Sequence, residues 1–202
     1  MYKRQEYTGG KLHIPTISSK KSVALIKEAK AKGLDVTCSV AIHNLVLTDE
    51  ELIEFDANKK VNPPLRTNEH NQALLEGIKE GTIDMITSDH NPIDIEEKKV
   101  EFSTGKDGTI GLESAFSALN TVLDTETIVK CLTDSPKKRF GIEIDTIDTD
   151  NKAELTLFTT QGEYEFTEAS ISSTSKNSIF FGKQLKGKAY GIINNNQLVL
   201  NS

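Results

Sequence analysis

Up to about Gly141, short β-branched apolar runs alternate with stretches in which apolar residues recur every three or four positions. Lys11–Ile17 (KLHIPTI) is short and apolar, which predicts a buried strand. SSKKSVALIKEAKAKG follows, with Ser18 or Ser19 at a capping position. Val23, Leu25, Ile26 and Ala29 share one helical face, and Gly33 marks the stop. Leu34–Ala41 (LDVTCSVA) predicts a second buried strand. Strand, helix and strand in about thirty residues make a βαβ unit, paired in parallel through a right-handed crossover.

The pattern then repeats. TDEELIEF opens with Thr48 and Glu51 at capping-box spacing. VNPPLRT is a loop stiffened by two prolines, NEHNQALLEGIKEGT is an amphipathic helix ending at Gly81, and IDMITSD is a third strand. GLESAFSALNTVLDTETIVKCL supplies one or two further helices. Beyond about Gly141 the period shortens, and AELTLFTT, YEFT and LKGKAYGIINNNQLVLN alternate between turns. Asn194–Asn196, between YGII and LVL, predicts a hairpin, because asparagine tolerates positive φ. Parallel sheets are covered on both faces, and a barrel closes with eight strands. Three β/α units therefore predict the last part of a larger α/β barrel, followed by a small β module.

Composition narrows the partners. The chain has 202 residues, a formal charge of −6 and a pI near 5.3, which argues against nucleic acid or an anionic membrane surface. No apolar run approaches the ~18 residues of a membrane span. Cys38 and Cys131 form no CxxC pair and read as reduced, buried thiols of a cytoplasmic protein. The first five residues, MYKRQ, match the translated end of a transposon used in sequencing libraries, so residues 1–5 are expected to be an artefact, with the gene continuing upstream of Glu6. Walker A, G-x-G-x-x-G, G-x-S-x-G and H-E-x-x-H motifs are absent.

LHIPTISSKKSVALIKEAKAKGLDVTCSVAIHNLVLTDE, KVNPPLRT, GTIDMITSDHNP and GTIGLESA stand in fixed order, and AELTLF, SKN and FFGKQLKGKAYGIINN close the chain. Together they resemble the C-terminal half of a dihydroorotase, of the amidohydrolase superfamily. The resemblance implies an α/β fold: the C-terminal portion of a (β/α)8 TIM-type barrel over residues 6–141, carrying strands six to eight, and a β-sandwich segment over 142–202. It implies the reversible cyclisation of N-carbamoyl-aspartate to dihydroorotate in pyrimidine biosynthesis, run on zinc. Ring opening by water needs a metal-bound hydroxide and a base. On the resemblance, Asp89 is the catalytic proton shuttle and a metal ligand, Asn62 touches the substrate ring, and the backbone of Gly108 lines the pocket.

Other positions depart from the family pattern. Thr16 stands where a histidine ligand is expected, and a threonine hydroxyl does not replace an imidazole on zinc. Ile93 stands where a histidine would hold the substrate carboxylate, and IHN (Ile42–Asn44) replaces PHH. His13 reads as a hydrogen-bonded core residue rather than a ligand, and on the resemblance it would support the site from behind. His90 either orients Asp89 from behind or satisfies a turn. His43 is expected to pack near a strand end, and His70 to face solvent. For Asp89 the alternative is a cap or a loop hydrogen bond.

Two readings follow. In one, an N-terminal half carrying the remaining ligands completes an active cyclic-amide hydrolase. In the other, catalysis is lost and the protein persists as a structural subunit, associating with itself or with aspartate transcarbamoylase, as some degraded relatives are thought to do. Thr16 and Ile93 affect metal and substrate independently, which favours the second. This chain alone is not expected to hold zinc.

Overall fold

The computed structural model describes residues 2–143 and 146–200. Tyr2–Thr8 forms a short helix, α1, from which Gln5 donates to the carbonyls of Gly10 and Asp35. β1 (Leu12–Ile14), α2 (Lys20–Ala31) and β2 (Val36–Ala41) form the expected βαβ unit. Ser19 caps α2 by accepting from the Ser22 amide, and Gly33 takes the left-handed conformation that ends it (φ +75°). α2 buries Ile26 and Ala29, the face its periodicity predicted.

α3 (Ile42–Val46) follows β2 directly. A long connection containing single 3-10 turns at Asp49–Leu52 and Ala57–Lys59 leads to α4 (Asn68–Lys79) and β3 (Met85–Thr87). The capping box expected at Thr48 does not form, since Thr48 makes no side-chain cap bond. Its partner Glu51 is engaged elsewhere: Lys183 reaches it at 2.5 Å and Lys59 at 3.2 Å. Burial would raise the Glu51 carboxyl, but these two ammonium groups hold it below its usual range. α4 packs on α2 so closely that a Cβ at Gly77 would lie 3.1 Å from Val23.

The three strands form one parallel sheet in the order β1-β2-β3. β2 gives its first half to β1 (Val36 opposite Leu12, Cys38 opposite Ile14) and its second half to β3 (Ser39 opposite Met85, Ala41 opposite Thr87). Each strand is thus stepped along its neighbour, the stagger by which a sheet closes into a barrel. Cys38 is fully buried on β2, its thiol facing the Thr82 carbonyl.

Short helices complete this part: α5 (Ile95–Lys98), α6 (Ala115–Leu119), α7 (Thr125–Val129), a π-helical stretch Lys130–Asp134, and α8 (Ser135–Phe140), ended by Gly141 at φ +69°. β4 (Leu155–Glu165), β5 (Gln184–Asn194) and β6 (Gln197–Leu200) then form an antiparallel sheet. Asn194 pairs with Gln197, so Asn195 and Asn196, both at positive φ, make the two-residue turn that the triplet predicted. A single apolar cluster runs from Val40, Leu74 and Ile86 through Ile110 and Leu119 to Phe166, Ile179, Phe180 and Leu185. The segment before β5 therefore shares the core of the parallel sheet.

Candidate functional site

The C-terminal ends of β1, β2 and β3 bring together residues that stand far apart in sequence. Thr16 lies two residues beyond β1, His43 two beyond β2 and Asp89 two beyond β3. Thr16 and Asp89 both have left-handed backbones, at φ +47° and +48°. For a β-branched residue such as Thr16 this is an outlier, costing on the order of 1–3 kcal/mol. The turn is anchored to β2: the Thr16 amide donates to Ser39 Oγ (3.2 Å), and the Ile17 amide to the Ser39 carbonyl (2.9 Å). The Asp89 turn is closed by its amide donating to Thr87 Oγ1 at 3.1 Å.

Asp89 Oδ2 lies 4.0 Å from His43 Nε2. His43 is fully buried, and neither ring nitrogen has a hydrogen-bond partner among the described residues. Burial pushes its pKa down to about 4, so the ring is neutral at pH 7 and the contact is not an ion pair. Burial also raises the Asp89 carboxyl above its ordinary value. The sequence reading placed His43 near a strand end but not beside Asp89. Their equal offsets from Ala41 and Thr87, which face each other across β2 and β3, carried that signal.

The remaining candidates surround this pair. His90 forms a parallel bridge with Thr109, and its Nδ1 accepts from the Gly111 amide (3.2 Å) and the Leu112 amide (3.3 Å). That fixes its proton on Nε2. The approach requires glycine, because a Cβ at Gly111 would lie 2.2 Å from the Ser88 carbonyl oxygen. Gly108, at φ +140°, packs against Asn91 and Ile93 and donates its amide to the Lys60 carbonyl, two residues before Asn62. The expected ring-contacting residue and the expected pocket backbone thus lie on joined loops. Buried Lys98 stitches the same loop by donating to the carbonyls of Ala57 (2.9 Å) and Lys60 (3.3 Å).

His13 is half-buried on β1, with Nδ1 2.9 Å from Thr37 Oγ1 and its ring edge-on to Phe140. Burial, and then the charge of Arg139, lower its pKa. His70 was expected to face solvent, but it is half-buried and accepts the Lys20 amide at the start of α2. Two open cavities lie among the described residues near these loops and the antiparallel sheet. One of about 380 Å³ is lined by Asn62, Leu65, Phe102 and Asp107, and a cleft of about 940 Å³ lies between α6 and the β4–β5 sheet. Neither is lined by Asp89, His43 or Thr16.

Zinc needs three or four protein ligands. Among the described residues no three His, Cys, Asp or Glu side chains converge; the strand ends supply one carboxylate, one imidazole and a threonine. This donor set does not fit a zinc ion.

No family model matches the chain. The dihydroorotase of Caldicellulosiruptor saccharolyticus is 43% identical over 198 residues, which is 95% of this chain and 46% of that protein. The dihydroorotase of Acetivibrio thermocellus is 38% identical over 201 residues, which is 96% of this chain and 47% of that protein. Among solved structures, the L-hydantoinase (dihydropyrimidinase) of Arthrobacter aurescens superposes with a TM-score of 0.89 at 26% identity, covering 98% of this chain and 46% of that one. The inactive dihydroorotase-like domain of the Chaetomium thermophilum CAD-like multifunctional protein superposes with a TM-score of 0.70 at 23% identity, covering 96% of this chain and 52% of that domain. The dihydroorotase-like chain spans about half the length of the curated relatives it matches. It corresponds to the C-terminal part of an amidohydrolase barrel with the β segment that follows. No helix among the described residues is long and apolar enough to cross a membrane.

Proposed function

We propose that this dihydroorotase-like chain belongs to a cytoplasmic protein of pyrimidine biosynthesis that has lost cyclic-amide hydrolysis and acts as a structural subunit. The observation that carries this reading is the set of strand ends itself, in which Thr16 stands just beyond β1 while, among the described residues, Asp89 and His43 lie 4.0 Å apart beyond β3 and β2. Ile93 beside Gly108 supports it independently, because an aliphatic side chain gives a substrate carboxylate no hydrogen bond. Aspartate transcarbamoylase is the partner this reading favours, with self-association as the other outcome.

The test is metal analysis and a dihydroorotate hydrolysis assay on the full protein, with any upstream half of the barrel included, together with co-purification against aspartate transcarbamoylase. The expected result is zinc well below one per chain, no rate above the uncatalysed blank, and a stable complex. Stoichiometric zinc with turnover would overturn it in favour of the active hydrolase. One observation favours that second reading. Asp89 keeps a left-handed turn beside a buried imidazole that has no hydrogen-bond partner among the described residues, the arrangement an intact proton shuttle would use.

A further inference from the structure

The segment between β4 and β5 is more than a connection. Residues 171–183 run across loops at the strand ends and bond to each in turn. Ser173 donates through its amide (2.8 Å) and hydroxyl (2.5 Å) to Glu113, and Lys183 reaches Glu51. Asn177, 3% exposed, lies between them. Its Oδ1 accepts the Ile93 amide (3.1 Å), and its Nδ2 donates to the carbonyls of Asn91 (3.1 Å) and Gly108 (3.3 Å). Its own carbonyl accepts the Ile110 amide (3.0 Å) and the Thr109 hydroxyl (3.2 Å). Thr109, 1% exposed, returns the contact by accepting the Ile179 amide at 2.9 Å.

One buried amide side chain thus joins the loop after β3, which begins with Asp89 and His90, to the loop that carries Gly108. Besides the single bridge between His90 and Thr109 and the Asn91 amide on the Thr109 carbonyl (2.8 Å), neither loop has regular structure over 90–93 or 107–111 to hold it there. A buried amide with both donors and an acceptor engaged fixes geometry in a way that an apolar contact does not. We propose that Asn177 is a positioning residue of the strand-end site: by clamping Asn91 and Ile93 against Gly108, it sets the register in which His90 meets the Gly111 and Leu112 amides. This rests on the reading of the strand ends as the site, but not on whether that site is active.

The test needs neither metal nor substrate. In the full chain labelled with ¹⁵N, His90 is expected to show an acceptor Nδ1 and a protonated Nε2, and the Ile93 amide is expected to be protected from exchange. Asn177→Ala should convert His90 to mixed tautomers and raise Ile93 exchange by about tenfold. The amides of α2 and α4 should keep their protection. Thr109→Val removes the hydroxyl that bonds the Asn177 carbonyl and should reproduce the His90 change from the other side. An unchanged His90 tautomer in both variants would overturn the proposal. So would a loss of protection in α2 and α4 equal to that at Ile93, or failure of both variants to fold, since Asn177 would then be a determinant of the fold alone. A metal-loaded, active parent protein would refute the loss of catalysis and leave this result untouched.

Discussion

At the residue scale, the strand ends retain costly features. His43 is an imidazole kept neutral by burial with neither nitrogen bonded among the described residues. Its folded-state pKa, about 4, lies below the ordinary 6.5, so the folded protein binds fewer protons than the unfolded one. Stability is then full above about pH 6.5 and is lost as pH falls towards 4, by up to about 3 kcal/mol. Asp89, shifted upwards by burial, acts in the opposite sense. Urea unfolding at pH 7.5 and pH 5 should show the loss, and His43→Leu should flatten it while leaving pH 7.5 stability unchanged or higher. Thr16 offers a second check. Glycine takes a left-handed backbone without penalty, so Thr16→Gly should stabilise by about 1 kcal/mol, read as a higher urea midpoint at unchanged slope.

At the element scale, the sequence was most legible where local chemistry and tertiary packing agree. The face of α2 and its two ends follow from Ser19, Ile26, Ala29 and Gly33, and the hairpin turn follows from Asn195 and Asn196. Ser19→Ala should therefore cost about 1 kcal/mol, and Asn196→Val about 1–2 kcal/mol, both measurable by thermal unfolding. Thr48 shows where such reading fails, because Lys59, later on the same connection, and Lys183, far along the chain, both engage Glu51. The candidate site was legible only in part for the same reason. Asp89, Thr16 and Ile93 lie on segments whose order can be read, whereas the His43 contact depends on strand register. The reach of Asn177 spans 84 residues to Ile93, and no local pattern encodes it.

At the scale of the whole molecule, the three-stranded parallel sheet ends at β1 and β3 among the described residues, and unpaired strand edges invite association. The hairpin adds a second adhesive surface, since Ile192 and its cross-strand partner Val199 are about half exposed, as are Leu198 and Leu200. Residues 6–202 produced alone should self-associate, giving species larger than a monomer by sedimentation velocity. A monodisperse monomer that melts cooperatively would count against the open-barrel architecture. Ile192→Lys with Val199→Lys should reduce the association without altering the unfolding transition, if the hairpin rather than the sheet edge dominates it.

The buried thiol of Cys38 supplies a clock for that same sheet. It sits on β2, the strand both neighbours grip, and burial holds its pKa up near 12, so a thiol-directed probe meets a protonated, shielded sulfur until β2 parts from its partners. Cys131 lies in the π-helical stretch between α7 and α8, also buried and also raised by burial. The two labelling rates time two separate openings. If Cys38 reacts in step with Cys131, sheet and helices come apart as one unit. A faster Cys131 marks helices that loosen while the strands stay closed, and a faster Cys38 marks a sheet that unzips first from its open edge.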